Sequence, residues 1–382
     1  MEFVINKSDL VRELQTVTGV VEKRATLPIL ANLLLETKPD GLQVGASDIE
    51  VTMRGTAKAK VKSEGSVTLP AGKLHELARS LPDAEVQFKL LDKNQVAISC
   101  ERIRYRIAGQ PRDEFPPFPE LDQSEGIKLP GKMLNEMIER VTFAITTEDP
   151  RYSLNGALMM LEKGKLTLVA TDSHRLAFVS REVGQPKAAL RVIVPRKALA
   201  EVTKLTSDLG DDDEVVFGKS GNQVYFIVGE HKLTSSVLEG NFPRYENVMP
   251  EACDVVIKLP TQAFSQAVRR VSLLASDRYG RSVKLTLANG GLELSSKTEM
   301  GDAQETLSID YDGPEMSIGF NARYLLDWAN VVGSDTVSLE FNPSKASVDD
   351  PKRVEPGEKP GQFRPEPTGD VDYRYIVMPM HL

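Results

Sequence analysis

The chain has 382 residues, 41% of them hydrophobic, and a formal net charge of -8 from 47 basic and 55 acidic side chains. That length suits two or three domains, each with enough apolar content for a core of its own. The negative balance argues against simple electrostatic adhesion to nucleic acid or to an anionic membrane, while leaving room for a local basic surface.

The first predicted element is a short strand at Phe3-Val4-Ile5, followed by an amphipathic run in which Leu10, Leu14 and Val17 make one stripe. Alternating residues over 41–46 predict a half-buried strand. Leu69-Pro70 then leads into a second helix carrying Leu74 and Leu77, where proline is tolerated in the first turn. The same order returns at Ile127-Lys128-Leu129, with the stripe Leu134, Ile138 and Val141, an alternating run over 165–170, and Val194-Pro195 ahead of Leu199 and Val202. It returns again at Ile257-Lys258-Leu259, with Phe264, Val268 and Val271, a strand signal over 291–295, and Ile318-Gly319 ahead of Leu325 and Trp328. The first-helix stripes lie 124 and 130 residues apart, far beyond the roughly 20–50 residues of a solenoid repeat. A whole domain is therefore present in three tandem copies. Strands joined by segments too short for helical crossovers predict an α+β fold, each copy packing two helices on antiparallel sheet.

Pro/Phe-rich residues 111–125 close the first copy and 241–250 close the second, which sets domains at 1–122, 126–250 and 254–382. Residues 344–372 hold five prolines, three glycines and many charges, and read as an exposed, mobile loop inserted before the last strand.

Cys100 and Cys253 are too few for a disulfide framework, none of the four histidines has a partner at ligand spacing, and no glycine-rich phosphate loop is present. No metal and no cofactor is expected. The N-terminal Glu2, Lys7, Asp9 and Arg12 leave no signal-peptide core, and no apolar run reaches the ~20 residues of a membrane span, so a soluble cytoplasmic protein is expected. The string Thr171-Asp172-Ser173-His174-Arg175 suggests a hydrolase. However, nucleophile, base and orienting acid usually converge from separate segments, which leaves an enzyme using Asp172 and His174 as the alternative reading only.

Basic residues recur on the predicted helices: Lys7, Arg12, Lys132, Arg140, Arg269 and Arg270 on the first of each copy, Lys73, Arg79, Arg196, Lys197, Lys204 and Arg323 on the second. Such a surface would attract phosphates without reading bases. Glu13, Glu76, Glu136, Glu139 and Glu201 share these helices, so an ordinary solvated face of mixed charge stays open.

Across its whole length the chain resembles the bacterial DNA polymerase III beta subunit, the sliding-clamp family. The resemblance is carried by residues 26–35 (TLPILANLLL), 151–156 (RYSLNG), 170–176 (ATDSHRL), 194–197 (VPRK) and the terminal VMPMHL. It implies a head-to-tail homodimer closed into a ring of six similar domains, with helices lining the hole and sheet outside. It implies that Lys73, Arg79, Lys132, Arg140, Arg196, Lys197, Lys204, Arg269, Arg270 and Arg323, together with Arg24, Arg151 and Tyr152, face double-stranded DNA without sequence preference. A partner-peptide cleft is implied at Leu154, Thr171, Ser173, His174, Arg175, Leu176, Pro243, Val248, Val377, Met378, Pro379 and Met380. Without the resemblance, the same positions read as core packing between the second and third copies. The partners implied are the replicative polymerase alpha subunit, clamp-loader subunits, and other polymerases and repair proteins, all through short hydrophobic motifs. Ring closure is implied between Tyr105 and Ile107 of one subunit and Leu273 and Leu274 of the next. Ser173, where many relatives have glycine, and Asn247 and His381, where arginine is common, imply a less basic cleft rim. The family has no catalytic activity of its own.

Overall fold

The computed structural model describes residues 1–22, 27–123, 126–146, 152–184, 189–275, 281–288, 290–342 and 359–380, with the side chain of Tyr152 left out. Every strand pairing given among them is antiparallel, as the short connections require.

The three copies are visible as one repeated order of elements. The first runs β1 (Glu2–Asn6), α1 (Lys7–Val17), β2 (Asn32–Lys38), β3 (Gly41–Ser47), β4 (Val51–Ala57), β5 (Lys60–Ser63), β6 (Gly65–Pro70), α2 (Ala71–Ser80), β7 (Glu85–Leu90), β8 (Gln95–Cys100) and β9 (Ile103–Ala108). The second runs β10 (Ile127–Pro130), α3 (Gly131–Thr142), β11 (Gly156–Glu162), β12 (Lys165–Thr171), β13 (Arg175–Glu182), β14 (Leu190–Pro195), α4 (Arg196–Thr206), β15 (Glu214–Ser220), β16 (Gln223–Val228) and β17 (His231–Ser236). The third runs β18 (Val255–Pro260), α5 (Thr261–Val271), β19 (Ser282–Ala288), β20 (Gly291–Thr298), β21 (Gly301–Ser308), β22 (Met316–Asn321), α6 (Ala322–Ala329), β23 (Thr336–Phe341), β24 (Gly361–Glu366) and β25 (Val371–Val377).

Strand passes directly into helix in each copy. Pro70, Pro130, Pro195 and Pro260 each end a strand and precede a helix. Proline suits that position because its ring fixes φ and it has no N–H to donate to a ladder. The third copy differs from expectation: α6 begins after Asn321 rather than at Gly319, and Asn321 Oδ1 accepts from the Arg323 amide at 2.9 Å as its cap. The apolar stripes Leu10/Leu14/Val17, Leu134/Ile138/Val141 and Phe264/Val268/Val271 are all buried, as their spacing demands.

Packing divides the chain into two compact units, residues 1–135 with 194–237, and residues 136–193 with 238–382. The first unit holds a five-stranded sheet, β5-β1-β7-β8-β9, and an eight-stranded sheet, β10-β15-β16-β17-β4-β3-β2-β6. Stacked Phe3 and Phe88 (4.7 Å between ring centres) and Phe217 and Phe226 (4.9 Å) fill its interior. The second unit holds an eight-stranded sheet, β14-β11-β12-β13-β25-β24-β23-β18, and a four-stranded sheet, β21-β20-β19-β22. Its core centres on Trp328, which stacks on Tyr375 at 5.7 Å and meets Phe363 at 5.3 Å.

One pairing rule governs both eight-stranded sheets. The last strand of a copy pairs with the third long strand of the copy before it: β17 with β4, matching Leu233 to Met53, and β25 with β13, matching Leu176 to Ile376. The rule leaves β9 and β21 as outer strands of their own sheets.

One further expectation needs correction. The segment 344–372 is not a continuous loop: 361–366 form β24 inside the eight-stranded sheet, β25 starts at Val371, and Phe363 is fully buried. Glycine and proline content masked a strand that pairs on both sides; residues 344–358 lie outside the described residues. The segments closing the first two copies are packed. Phe115 is buried with Ile29, Leu30 and Leu34, and Phe242 and Tyr245 are buried with Leu154, Leu158 and Leu176. We expect Phe363→Ala to destabilise the second unit by about 3–5 kcal/mol, measured by chemical denaturation followed through Trp328 fluorescence; an unchanged midpoint contradicts the placement of β24.

Candidate nucleic-acid interface and partner surface

The helices carry the cations in two states. Lys73 bonds Glu76 at 2.8 Å, Lys132 bonds Asp211 at 2.8 Å, and Lys204 bonds Glu201 at 2.6 Å. Arg270 grips Glu305 through two bonds of 2.8 and 2.5 Å. Arg140 lies over the Tyr373 ring at 5.5 Å, and Arg323 reaches Asp327 only at 4.0 Å. The Lys132 ammonium holds the exposed Asp211 carboxyl below its ordinary range. Among the described residues, Arg79, Arg196 and Arg269, one on each copy, are exposed and have no carboxylate partner. Exposed ion pairs are worth only ~0–1 kcal/mol, so Lys73 and Lys132 can turn to a phosphate at little cost, whereas Lys204 is tied to the buried Glu201 carboxylate.

Lys197 is different. Its ammonium pairs with Asp48, whose side chain is 6% exposed, and reaches Glu22 at 3.4 Å. It is held within its own unit rather than offered to solvent. Arg24 and Arg151 lie outside the described residues, as does the side chain of Tyr152.

The acids on these helices divide between interior and surface. Glu13 and Glu201 are buried, with Glu13 bonded to His231 at 3.0 Å. Glu13 is thus turned to an internal partner, whereas Glu201 still pairs with Lys204 on its own helix.

The residues of the expected cleft fall into two layers, all within the second unit. Leu154, Thr171, Arg175, Leu176 and Val377 are buried; Ser173, His174, Pro243, Val248 and Met378 are exposed; Pro379 and Met380 are half-buried. Leu154 and Leu176 join Phe242, Tyr245 and Ile376 in one apolar cluster. Arg175 faces Val377 across the β13–β25 ladder, the Met378 amide donates to the His174 carbonyl at 2.8 Å, and the Met380 amide donates to the Gly319 carbonyl at 2.8 Å. The start of β13, the end of β25 and the 242–248 segment therefore converge, with Pro243 following the buried Phe242 and Val248 ending the short turn that begins at the buried Tyr245. Core packing and surface are both present: the buried layer fixes the backbone that displays Ser173, His174 and Met378.

Sequence reasoning missed the groups that support this surface. Arg175 donates to Asp327 at 2.7 Å and to the Phe143 carbonyl at 2.7 Å, and its guanidinium lies 4.4 Å from the centre of the Tyr324 ring. Asp327 and Tyr324 both sit on α6, more than 140 residues from Arg175, so no local pattern could reveal the contact. Burial pushes the Tyr375 hydroxyl well above its ordinary pKa, and that hydroxyl donates to the Tyr324 carbonyl at 2.9 Å.

The hydrolase alternative fails on geometry. Asp172 Oδ1 accepts the amides of His174 and Arg175, both at 3.0 Å, and Oδ2 accepts Arg175 Nε at 3.0 Å. Its carboxylate closes a turn instead of orienting a histidine. Neither cysteine is bridged: Cys100 is buried and Cys253 half-buried.

At the edges, β9 bears Tyr105 and Ile107, both half-buried, and the short turn Ser272–Leu274 packs on β20 and β21 with Leu273 79% exposed. Outer strands leave backbone groups without strand partners, and Leu273 adds exposed apolar area next to the β21 edge.

Three tandem α+β copies joined by shared sheets, with cationic helices, define the architecture of a replication clamp subunit. Family models for the DNA polymerase III beta subunit match in order: the N-terminal domain at 1–119, the central domain at 128–244 and the C-terminal domain at 246–353. The chain belongs to the DNA polymerase III beta subunit family. It is 34% identical to a beta sliding clamp of Pseudomonas putida and 36% identical to one of Caulobacter vibrioides, each over 100% of both chains. Among solved structures it is similar to a sliding clamp from Pseudomonas aeruginosa bound to griselimycin, at TM-score 0.90 and 31% identity over 100% of both chains. It is also similar to the sliding clamp of Caulobacter crescentus, at TM-score 0.87 and 33% identity over 100% of both. No described helix is long and apolar enough to cross a membrane.

Removing the Lys197 ammonium leaves the buried Asp48 carboxylate without its cation. Lys197→Met should therefore lower stability by about 1–3 kcal/mol, discounted for the partial exposure of the pair. Thermal denaturation checks this; an unchanged melting temperature shows that the lysine is free for another role.

Proposed function

We propose that two copies of this chain close head to tail into a ring around duplex DNA and serve as a sliding clamp. In this reading the chain performs no chemical step. It tethers a replicative polymerase, and other replication and repair proteins, to the template, and an ATP-driven loader opens the ring.

The observation that carries the reading is the strand-pairing rule. β17 and β25 each pair with the third long strand of the preceding copy, and their counterpart in the first copy is β9. The third long strand of the last copy is β21, the outer strand of its sheet. Each chain thus carries one donor edge and one acceptor edge of the same junction type. Two different patches that complete each other generate a head-to-tail assembly. The exposed charges on the two edges are opposite in sign: β9 shows Arg104 and Arg106, and β21 shows Asp302. Tyr105 and Ile107 would meet Leu273 and Leu274 there.

Topological retention also reconciles the chain's negative charge with DNA. A closed ring need not bind tightly, so phosphate contacts from Arg79, Arg196, Arg269 and the loosely paired lysines can be weak and exchange as the ring moves. The exposed Ser173, His174, Pro243, Val248 and Met378, with the half-buried Pro379 and Met380, are proposed to receive hydrophobic partner peptides. Flexible methionines suit a surface that accommodates several sequences.

Two measurements test the reading. Chain loaded on a nicked circular plasmid should stay with it through gel filtration and be lost after a single cut elsewhere; retention on the linear product contradicts encirclement. Leu273→Ala with Leu274→Ala should shift sedimentation at low concentration from dimer to monomer, with a loss of about 2–5 kcal/mol per fully buried leucine as the upper range. A dimer of unchanged affinity removes the proposed junction.

A further inference from the structure

We propose that Asp327 is a positioning residue for the peptide surface: through Arg175 it holds the turn between β12 and β13 in a strained form that presents Ser173 and His174. The inference rests on the reading of that surface as a peptide site and adds a residue outside the candidate set.

Ser173 has φ of +75°, a left-handed conformation that side-chain-bearing residues disfavour and glycine adopts freely. Strain of this kind persists only where surrounding contacts over-determine it. Those contacts can be followed outward. The Ser173 amide donates to Thr171 Oγ1 at 3.1 Å, and Thr171 Oγ1 donates to the Arg175 carbonyl at 2.7 Å. Asp172 caps the amides of His174 and Arg175 with one carboxylate oxygen, while Arg175 Nε holds the other. The orientation of Asp172 therefore depends on where the guanidinium lies.

Asp327 fixes the guanidinium from α6. Its Oδ2 accepts Arg175 Nη1 at 2.7 Å, the Phe143 carbonyl accepts Nη2 at 2.7 Å, and Tyr324 lies against its face. Arg175 is 8% exposed, so its charge depends on these partners rather than on water. From the turn the arrangement continues outward, because the His174 carbonyl accepts the amide of the exposed Met378. A displacement of Arg175 would move His174 and Met378 together. Arg323, one turn before Asp327 on α6, approaches the same Oδ2 at 4.0 Å, too far to displace Arg175.

The test uses the full chain and two probes: a fluorescent hexapeptide with leucine and phenylalanine anchors, read by anisotropy, and griselimycin as competitor. Asp327→Ala should weaken hexapeptide binding about tenfold, and Asp327→Asn, which keeps an acceptor for Arg175, by less. Ser173→Gly alone supplies the reference affinity for the second background of the cycle. In the double variant, Ser173→Gly should restore most of the affinity lost in Asp327→Ala, because glycine holds the left-handed turn without the clasp; the melting temperature lost with Asp327 should stay lost. A merely structural Asp327 would give equal losses in both backgrounds, and that result overturns the proposal, as does an Asp327→Ala chain that binds normally. If Asp327→Ala does not fold, the same cycle with Asp327→Asn decides it. An unaltered chain that binds neither probe overturns the peptide-site reading and this inference with it.

Discussion

Backbone hydrogen bonding at sheet edges is the constraint on which the architecture depends. Each copy of the module makes two small sheets, and a sheet of four strands leaves N–H and C=O groups unpaired on its outer strands. The chain satisfies part of these by fusing sheets of neighbouring copies, β17 to β4 and β25 to β13. The pairing needs no crossover and no special residue, only that the last strand of one copy match the third of the copy before. Repetition then sets its own limit, because a linear chain of three copies must end with β9 and β21 unmatched. The proposed dimer follows from that remainder.

The helices answer a second constraint. Packed on sheet, each buries one stripe and shows the other face to solvent. The structure sorts charges on those faces by more than sign. Glu13 and Glu201 turn inward to local partners, and Lys197 is taken up by Asp48. Arg79, Arg196 and Arg269 are left exposed, one to a copy. The separation lets a chain of net charge -8 keep exposed, unpaired cations on helices of every copy. Loose, exchangeable contacts are what sliding needs, since each strong pair would have to break at every step.

In the second unit, the proposed peptide surface is displayed by a buried frame. Leu154, Leu176 and Val377 do not themselves form a surface; they hold the backbone where Ser173, His174 and Met378 emerge. The Asp172–Ser173–His174 string looked like chemistry because the same residue types that build catalytic relays also close tight turns. Only the hydrogen-bond partners distinguish the two, and here Asp172 spends both oxygens on amides and Arg175.

The sequence by itself determined the threefold repeat, the helices and their buried faces, the antiparallel α+β class and the family, because periodic apolar residues and short connections act locally and leave a local trace. It misread the segment after residue 344, since proline and glycine in β24 hid a strand held by neighbours on both sides. Only the tertiary structure decided which strand edges stay open, which lysines are tied down, and that Asp327 reaches Arg175 from 152 residues away. Those outcomes depend on pairings between residues distant in the chain, and a pairing energy belongs to two positions at once.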